Sequence, residues 1–208
     1  FTINHLKYFY LFQQIIFPEV IMNTSKNNNE EIALIIIDAQ QKIINPIKNQ
    51  DKIISNIELL LRSYELLREN IFLSEQNPIK LGNTLKNLLP NKEFKKIEKM
   101  SFSIAFENNI TDTFSSKNIK SLIICGFESH ICIQQSVLDF LQEGYEVFVI
   151  ADAIGSRNIN DHDIALDRMS SKGATITTTE SIIFQLCETS SRKEFKAISN
   201  LIKNKKYK

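Results

Sequence analysis

The chain alternates short apolar runs with longer segments in which apolar residues recur at helical spacing. Residues 32–37 form a wholly apolar run, typical of a strand that is covered on both faces. Apolar positions between Ile53 and Leu67 then recur at helical spacing, which predicts a helix. Further strands are predicted at residues 71–74, 94–98, 121–125, 146–151 and 174–178, with helices at 84–89, 131–142, 161–171, 181–187 and 192–203. This alternation predicts the α/β class, a three-layer α/β/α fold around a six-stranded parallel sheet.

Residues 1–31 do not follow this pattern. Their apolar and aromatic stretch, residues 8 to 17, is interrupted by two glutamines and is shorter than the roughly 20 residues that a transmembrane helix needs. No small-residue cleavage site of a signal peptide follows it. We therefore expect residues 1–31 to be an N-terminal extension outside the core, with Met22 as the more natural start, and residues 32–208 to form the folded domain.

Charge and motif content exclude several classes of function. The 25 Lys and Arg residues balance 24 Asp and Glu residues, a net charge of +1, which gives no basic footprint for nucleic acid or for an anionic membrane. The five glycines are too widely spaced for a phosphate-binding loop, and the three histidines form no zinc-binding motif, so we expect no metal and no cofactor. Three irregularly spaced cysteines predict free thiols in a reducing compartment, and thus a cytoplasmic protein.

Three chemically reactive side chains follow strands of the predicted sheet. Asp38 comes after the first strand and Lys99 after the strand near residues 94–98, while Cys132 lies at the first turn of the helix that follows the strand at residues 121–125. Ligands bind beyond the carboxyl ends of the strands of an open parallel sheet, so we expect these side chains to converge. Asp38 would then take the thiol proton while Lys99 stabilises the charges. The helix start and Lys99 together predict a lowered pKa for the Cys132 thiol.

Each of these residues also has an ordinary structural explanation. Asp38 fits a cap or turn position, Lys99 a solvated surface position, and Cys132 a small core residue. The combination of the three, more than any one of them, predicts a site. We assign structural roles, without catalysis or redox chemistry, to a further set of polar residues and thiols: His130, Cys125, Cys187, Asp152 and Arg157.

Several short segments, in chain order, carry a resemblance to a known family. They lie at residues 33–40, 74–82, 98–103, 125–133 and 144–157, and include Ile-Asp-Ala-Gln, Glu-Gln-Asn-Pro, Glu-Lys-Met-Ser-Phe and Cys-Gly-Phe-Glu-Ser-His-Ile-Cys. Together they resemble the isochorismatase-like cysteine hydrolases, which include nicotinamidases and N-carbamoylsarcosine amidase. The resemblance spans about residues 32–187 and is greatest to the isochorismatase domain-containing proteins. It implies a Rossmann-like hydrolase domain over residues 32–208.

The resemblance also implies roles for individual residues. Asp38 corresponds to the general base, Lys99 to its charged neighbour and Cys132 to the nucleophile. A non-proline cis peptide bond is implied between Phe127 and Glu128, which would turn backbone N–H groups near Glu128 and Cys132 towards the substrate carbonyl. The residues that we expect to wall a substrate pocket are Gln40, Phe102, Phe106 and Glu128.

Two departures from the family pattern narrow the predicted substrate. Metal-binding nicotinamidases carry histidines after the second strand, whereas residues 73–78 contain none, so nicotinamide and metal dependence are disfavoured. Enzymes that cleave the vinyl ether of isochorismate resemble the family with another residue at the position of Cys132, so the thiol favours covalent acyl chemistry. We therefore predict a hydrolase of carbon–nitrogen bonds in a small amide, imide or ureido compound, acting through a thioester on Cys132.

A second class of function stays open at this point. The chain could be a catalytically silent member of the fold that serves as an oligomeric binding or scaffold protein, since fold alone does not establish activity. In both cases the resemblance, together with the apolar helix expected after Arg192, predicts a homo-oligomer. The expected partner of the enzyme is a small-molecule substrate, with neither a nucleic acid nor a membrane.

Overall fold

The computed structural model describes residues 31–107 and 109–205, and within them it contains one six-stranded sheet in which all the paired strands are parallel. The strand order is β3-β2-β1-β4-β5-β6. The strands are β1 (Glu31–Ile37), β2 (Ile71–Gln76), β3 (Lys95–Lys99), β4 (Ile119–Phe127), β5 (Glu146–Gly155) and β6 (Thr175–Thr177). The predicted fold class is confirmed.

Helices cover both faces of this sheet. They are α1 (Gln41–Ile44), α2 (Gln50–Leu67), α3 (Pro78–Leu81), α4 (Ile110–Ser116), α5 (Gln134–Gln142), α6 (Ile159–Ser171), α7 (Thr179–Cys187) and α8 (Phe195–Lys203), with a 3-10 turn at Lys86–Leu88 and a π-helical turn at Ser129–Ile133. Alternate residues of β1 serve opposite layers, as the pleat of a strand requires. Leu34 and Ile36 pack with α2, α7 and α8, whereas Ile35 and Ile37 pack with α4, α5 and α6.

The differences from the predicted elements are concentrated in short segments. Helices α1, α3 and α4 are absent from the prediction, because four to seven residues show too little periodicity to reveal a helix. The helix predicted at 84–89 is a 3-10 turn, and the helix predicted at 131–142 is divided between the π turn and α5. The predicted extension over residues 1–31 lies outside the described residues except for Glu31, which is the first residue of β1.

The carboxyl end of β1 lies at a topological switch point of the sheet. From β1 the chain proceeds to β2 and β3 on one side, and then β4, β5 and β6 continue on the other, so the strand order reverses between β1 and β4. Gly126 of β4 lies opposite Ile37 at this point. A Cβ atom on Gly126 would lie 2.0 Å from the Ile37 carbonyl oxygen, and its φ of +120° is one that other residues rarely adopt. Glycine therefore lets β4 approach β1 where Asp38 leaves the sheet.

Candidate active site

An ion pair between Asp38 and Lys99 lies at the carboxyl edge of the sheet. Asp38 follows β1 and Lys99 ends β3, with β2 between them. The Lys99 ammonium donates to Asp38 Oδ2 at 2.8 Å, and both side chains are fully buried. Buried charges are tolerated only when they are paired and hydrogen-bonded. The predicted convergence of these two residues is therefore seen in the structure.

Ser74 of β2 fixes the other oxygen of the Asp38 carboxylate. Its hydroxyl donates to Oδ1 at 2.6 Å, and the Asp38 backbone N–H donates to the Ser74 carbonyl at 3.1 Å. Asp38 has a φ of +50°, in the left-handed region that non-glycine residues seldom occupy. Such a conformation persists where surrounding contacts impose it, and it is frequent at functional sites. The carboxylate is thus held by donors on both oxygens, with remaining lone pairs available for a third proton.

Lys99 is bound on several sides. Besides Asp38, its ammonium donates to Gln76 Oε1 at 2.6 Å, to the Phe102 carbonyl at 3.0 Å and, at a longer 3.3 Å, to the Ser101 carbonyl. An ammonium group has three protons and no acceptor, so these contacts saturate it. Lys99 therefore holds the carboxylate and the loop after β3 together.

Cys132 lies in the π turn between β4 and α5 and is 6% exposed. The sequence predicted a lowered pKa for its thiol, and this prediction is wrong. Burial raises the pKa of Cys132 to about 12, the negative charge of Asp38 adds to the rise, and Lys99 opposes it. Exclusion of water outweighs the nearby ammonium. The charges of Asp38 and Lys99 both act on the thiol, so the three predicted residues share one site.

The turn that carries Cys132 also presents backbone N–H groups. The peptide bond between Phe127 and Glu128 is cis, at the position to which the resemblance assigns it. The N–H groups of Ile131 and Ile133, on either side of Cys132, both donate to the Glu128 carbonyl at 3.2 Å. These two N–H groups are therefore occupied, and the predicted role of the Cys132 N–H between them as an oxyanion donor stays a prediction.

The sequence that forms this fold matches a known family. The model of the isochorismatase domain matches residues 32–181. The chain belongs to the isochorismatase family. Isochorismatase family protein 1B of Dictyostelium discoideum is 38% identical over 192 residues, which cover 90% of this chain and 93% of that protein.

Solved structures of related proteins extend the isochorismatase comparison to the fold. The MAR1 ribonuclease from Caenorhabditis elegans has a TM-score of 0.79 at 31% identity, and the match covers 86% of this chain and 93% of that one. The YcaC gene product from Escherichia coli, described as an octameric hydrolase of unknown specificity, has a TM-score of 0.72 at 19% identity, with 87% of this chain and 91% of that one covered. The second similarity concerns the fold alone.

The predicted pocket residues of this isochorismatase-family chain fall into two groups. Gln40 is fully buried, and both polar atoms of its side chain form hydrogen bonds with the main chain. Its amide nitrogen donates to the Gln76 and Gly82 carbonyls, and its oxygen accepts the Gln76 N–H. It is thus a brace for Gln76 and not a pocket wall. Phe102 and Phe106, in the loop after β3, are 52% and 73% exposed, so their contact with a substrate stays a prediction.

Glu128, the fourth predicted pocket residue, is buried beside the π turn that carries Cys132. One carboxylate oxygen lies 3.3 Å from the guanidinium of Arg157, and the other is buried without a hydrogen-bond partner. Its side chain therefore makes an ion pair with the segment after β5, and its contact with a substrate also stays a prediction.

The sequence analysis did not assign two residues at the end of β2, Ser74 and Gln76, to the site. Both belong to a segment quoted for the family resemblance, but their polarity alone did not distinguish them. The available signal was their spacing: residues two apart on a strand face the same side, and β2 lies next to the strand that ends at Asp38. Strand order, which the sequence did not provide, was needed to use that signal.

The residues predicted to be structural make contacts of that kind. His130 Nδ1 lies 2.9 Å from the Ser156 hydroxyl, and Asp152 accepts from both the backbone and the hydroxyl of Thr179. Cys125 is fully buried in the sheet, Cys187 is buried at the end of α7, and all three cysteines are free thiols.

Neither a metal cluster nor a membrane span is found in the described part of the chain. Within residues 31–107 and 109–205, no group of three or more His, Cys, Asp and Glu side chains is arranged to hold a metal ion. None of the helices described there is long and apolar enough to cross a membrane.

Proposed function

We propose that this protein is a cysteine hydrolase that cleaves a carbon–nitrogen bond in a small amide, imide or ureido compound. The observation that carries the proposal is the buried Asp38–Lys99 ion pair beside the protonated thiol of Cys132. A thiol with a pKa of about 12 is not a nucleophile at neutral pH unless a base takes its proton during attack. We propose that the Asp38 carboxylate, whose charge acts on this thiol, is that base.

In the first step Cys132 Sγ bonds to the substrate carbonyl carbon while its proton moves to the Asp38 carboxylate. The carbonyl oxygen takes up the electron pair and becomes an oxyanion, for which backbone N–H groups of the turn around Cys132 are the proposed donors. When the intermediate collapses, the carbon–nitrogen bond breaks and the leaving nitrogen takes the proton from Asp38. The products of this half-reaction are an amine, or ammonia, and a thioester on Cys132.

In the second step water hydrolyses the thioester. Asp38, again a carboxylate, takes a proton from the water as its oxygen bonds to the acyl carbon. Collapse breaks the carbon–sulfur bond, and the sulfur recovers its proton from Asp38. Lys99 stays protonated throughout and keeps the carboxylate oriented at 2.8 Å. The sum of the two steps is hydrolysis of the substrate to a carboxylic acid and an amine.

The ribonuclease name of one solved relative does not favour a second chemistry for this chain. A net charge of +1 offers little attraction for the phosphates of RNA. A buried thiol beside a carboxylate suits attack on an uncharged carbonyl better than attack on a phosphodiester. RNA is therefore included as a competing substrate in the test below.

The proposal extends to assembly and location. We expect a homo-oligomer, which the octameric assembly of the YcaC gene product supports. The three free thiols favour a reducing compartment and hence the cytoplasm. The competing function, a silent oligomeric scaffold, would keep the fold without covalent chemistry.

The experiment is to incubate the protein with pools of small amides, imides and ureides and with an RNA oligonucleotide, and to measure both acyl adducts on Cys132 and released products by mass spectrometry. An adduct on Cys132 with release of amine, absent in Cys132→Ala and Asp38→Asn, supports the hydrolase. No adduct and no product with any pool supports the scaffold. RNA cleavage that persists in Cys132→Ala overturns the assignment of the nucleophile.

A further inference from the structure

Gln76 lies at the centre of the site, although it carries no charge. Its side-chain oxygen is 2.6 Å from the Lys99 ammonium and 4.0 Å from Cys132 Sγ. Its side-chain nitrogen donates to the Met100 carbonyl at 2.9 Å. That second bond decides the orientation of the amide, since it leaves the oxygen facing the ammonium and the thiol.

The Lys99 ammonium has more acceptors than protons. Its three protons are shared among Asp38, Gln76 and the Phe102 and Ser101 carbonyls. A thiolate at Cys132 would have to compete with these oxygens for a proton of Lys99. Gln76 is the one neutral side chain in this set, so its oxygen is the acceptor that can be removed without breaking the ion pair or the loop.

The main chain of Gln76 is held independently of its side chain. Gln40 accepts the Gln76 N–H at 2.8 Å and donates to the Gln76 carbonyl at 3.0 Å. Gln76 is also paired with Lys99 in the β2–β3 ladder. A replacement of the Gln76 side chain therefore leaves the end of β2 in place.

We infer that Gln76 is a positioning residue that keeps Cys132 protonated in the resting site, because its side-chain oxygen accepts the S–H proton and also occupies one of the Lys99 protons. The inference rests on the proposed function, in which Cys132 is the nucleophile. Its consequence is that the sulfur becomes nucleophilic only when its proton moves to Asp38 as a substrate carbonyl arrives. A resting thiol of this kind is protected from adventitious oxidation and alkylation.

The groups around the sulfur leave this role to Gln76. Asp38 faces it from β1 and raises the thiol pKa, whereas Lys99 faces it from β3 and lowers it. In the turn of Cys132 itself, Glu128 is paired with Arg157 and His130 with Ser156, so their side chains are engaged elsewhere. Gln76, from β2, is the neutral group between the two charges.

The test is the pH dependence of Cys132 alkylation by iodoacetamide, resolved by peptide mass spectrometry, in Gln76→Met and Gln76→Glu. Met keeps the length of the side chain but accepts no strong hydrogen bond, which frees a Lys99 proton for the thiolate. Glu keeps the acceptor and adds a negative charge beside the thiol. We expect alkylation at a fixed pH below 9 to be about tenfold faster in Gln76→Met and about tenfold slower in Gln76→Glu, which corresponds to about one pKa unit in opposite directions.

The matched control is Gln142→Met, an exposed glutamine at the end of α5, whose alkylation profile should equal that of the unmodified protein. Buried Cys125 and Cys187 report unfolding in the same samples, since they are labelled only if the fold opens. If Gln76→Met unfolds, Gln76→Glu decides: slower alkylation supports the inference, and equal or faster alkylation overturns it.

Equal profiles in both variants, or shifts in the same direction, would overturn the role of Gln76. Alkylation needs no substrate, so this result is separate from the proposed function. A protein without amidase activity that still shows the opposite shifts contradicts only the hydrolase assignment. An active hydrolase without the shifts contradicts only the role of Gln76.

Discussion

Ser74 and Asp38 are linked both through side chains and through main chain where β1 and β2 end. The Ser74 hydroxyl donates to the Asp38 carboxylate at 2.6 Å, and the Asp38 N–H donates to the Ser74 carbonyl at 3.1 Å. The same parallel pairing that aligns Ile37 with Ser74 therefore also aims the proposed general base.

This link predicts the effect of Ser74→Ala. Loss of the hydroxyl leaves one oxygen of a fully buried carboxylate without its donor, which should cost about 1–3 kcal/mol of unfolding free energy and lower the turnover rate. The measurements are urea unfolding and amide hydrolysis. Ser63→Ala is the matched control, because Ser63 is also fully buried but its hydroxyl has no hydrogen-bond partner. Equal effects of the two substitutions on stability would contradict the assigned role of the Ser74 hydroxyl.

A second prediction concerns Gly126, which lets β4 approach β1 beside the site. In Gly126→Ala the new methyl group would meet the Ile37 carbonyl at 2.0 Å, and the backbone cannot yield without shifting β1. We expect a loss of at least about 3 kcal/mol in unfolding free energy, because both overpacking and an unfavourable φ contribute. Gly144→Ala shares the positive φ but meets no atom within 4 Å, so its loss should be smaller. A Gly126→Ala protein as stable as Gly144→Ala would refute the close approach.

The sequence was sufficient for the fold because the strands are buried on both faces. Wholly apolar runs such as residues 32–37 show this directly, and the helices between them are long enough to display their period. The short helices α1, α3 and α4 carry no such signal. Their positions depend on contacts with the rest of the fold.

The site was predictable in part, because its residues lie at the ends of strands that the sequence predicts. Asp38 and Cys132 follow strands and Lys99 ends one, and an open parallel sheet brings such positions to one edge. The environment of Cys132 was not predictable, since the pKa of a thiol depends on how completely the fold excludes water from it. Gln40 was misassigned because a buried glutamine and a pocket glutamine look alike in a sequence.

A third prediction concerns stability in alkaline solution. Burial raises the pKa of Tyr64, Cys125 and Cys132 above their ordinary values, so the folded protein keeps protons that the unfolded chain loses. The unfolding free energy should therefore be greatest below about pH 8.5, the ordinary thiol value, and fall above it by about 1.4 kcal/mol per pH unit for each of the two thiols, whereas Tyr64 adds to the decline only above its ordinary pKa of about 10. The unfolding midpoint in urea between pH 8 and 10 measures this.

Cys125→Ala isolates one of these contributions. The substitution removes a fully buried thiol whose raised pKa is due to burial alone. It should lower the unfolding free energy at all pH values because it leaves a small cavity. The decline of the unfolding free energy above pH 8.5 should become less steep, because one titrating thiol no longer contributes to it. A variant that declines as steeply as the unmodified protein would show that the thiol at Cys125 does not contribute to the pH dependence.

The last prediction separates the structural contribution of the ion pair from its part in catalysis. Lys99→Met leaves Asp38 buried without its counter-charge, which should cost about 3–5 kcal/mol of unfolding free energy. Asp38→Asn together with Lys99→Met removes both charges, so the double variant should regain much of that stability. Neither variant should hydrolyse a substrate, because the proposed mechanism needs the pair and Cys132 together, and losses within such a unit are not additive. A double-mutant cycle in urea, combined with hydrolysis assays, measures both effects.

Cys132→Ala serves as the control, since it should abolish activity at nearly unchanged stability. If the double variant were as unstable as Lys99→Met, the burial of an unpaired charge would not be the source of the loss, and if it retained activity, Asp38 would not be the base.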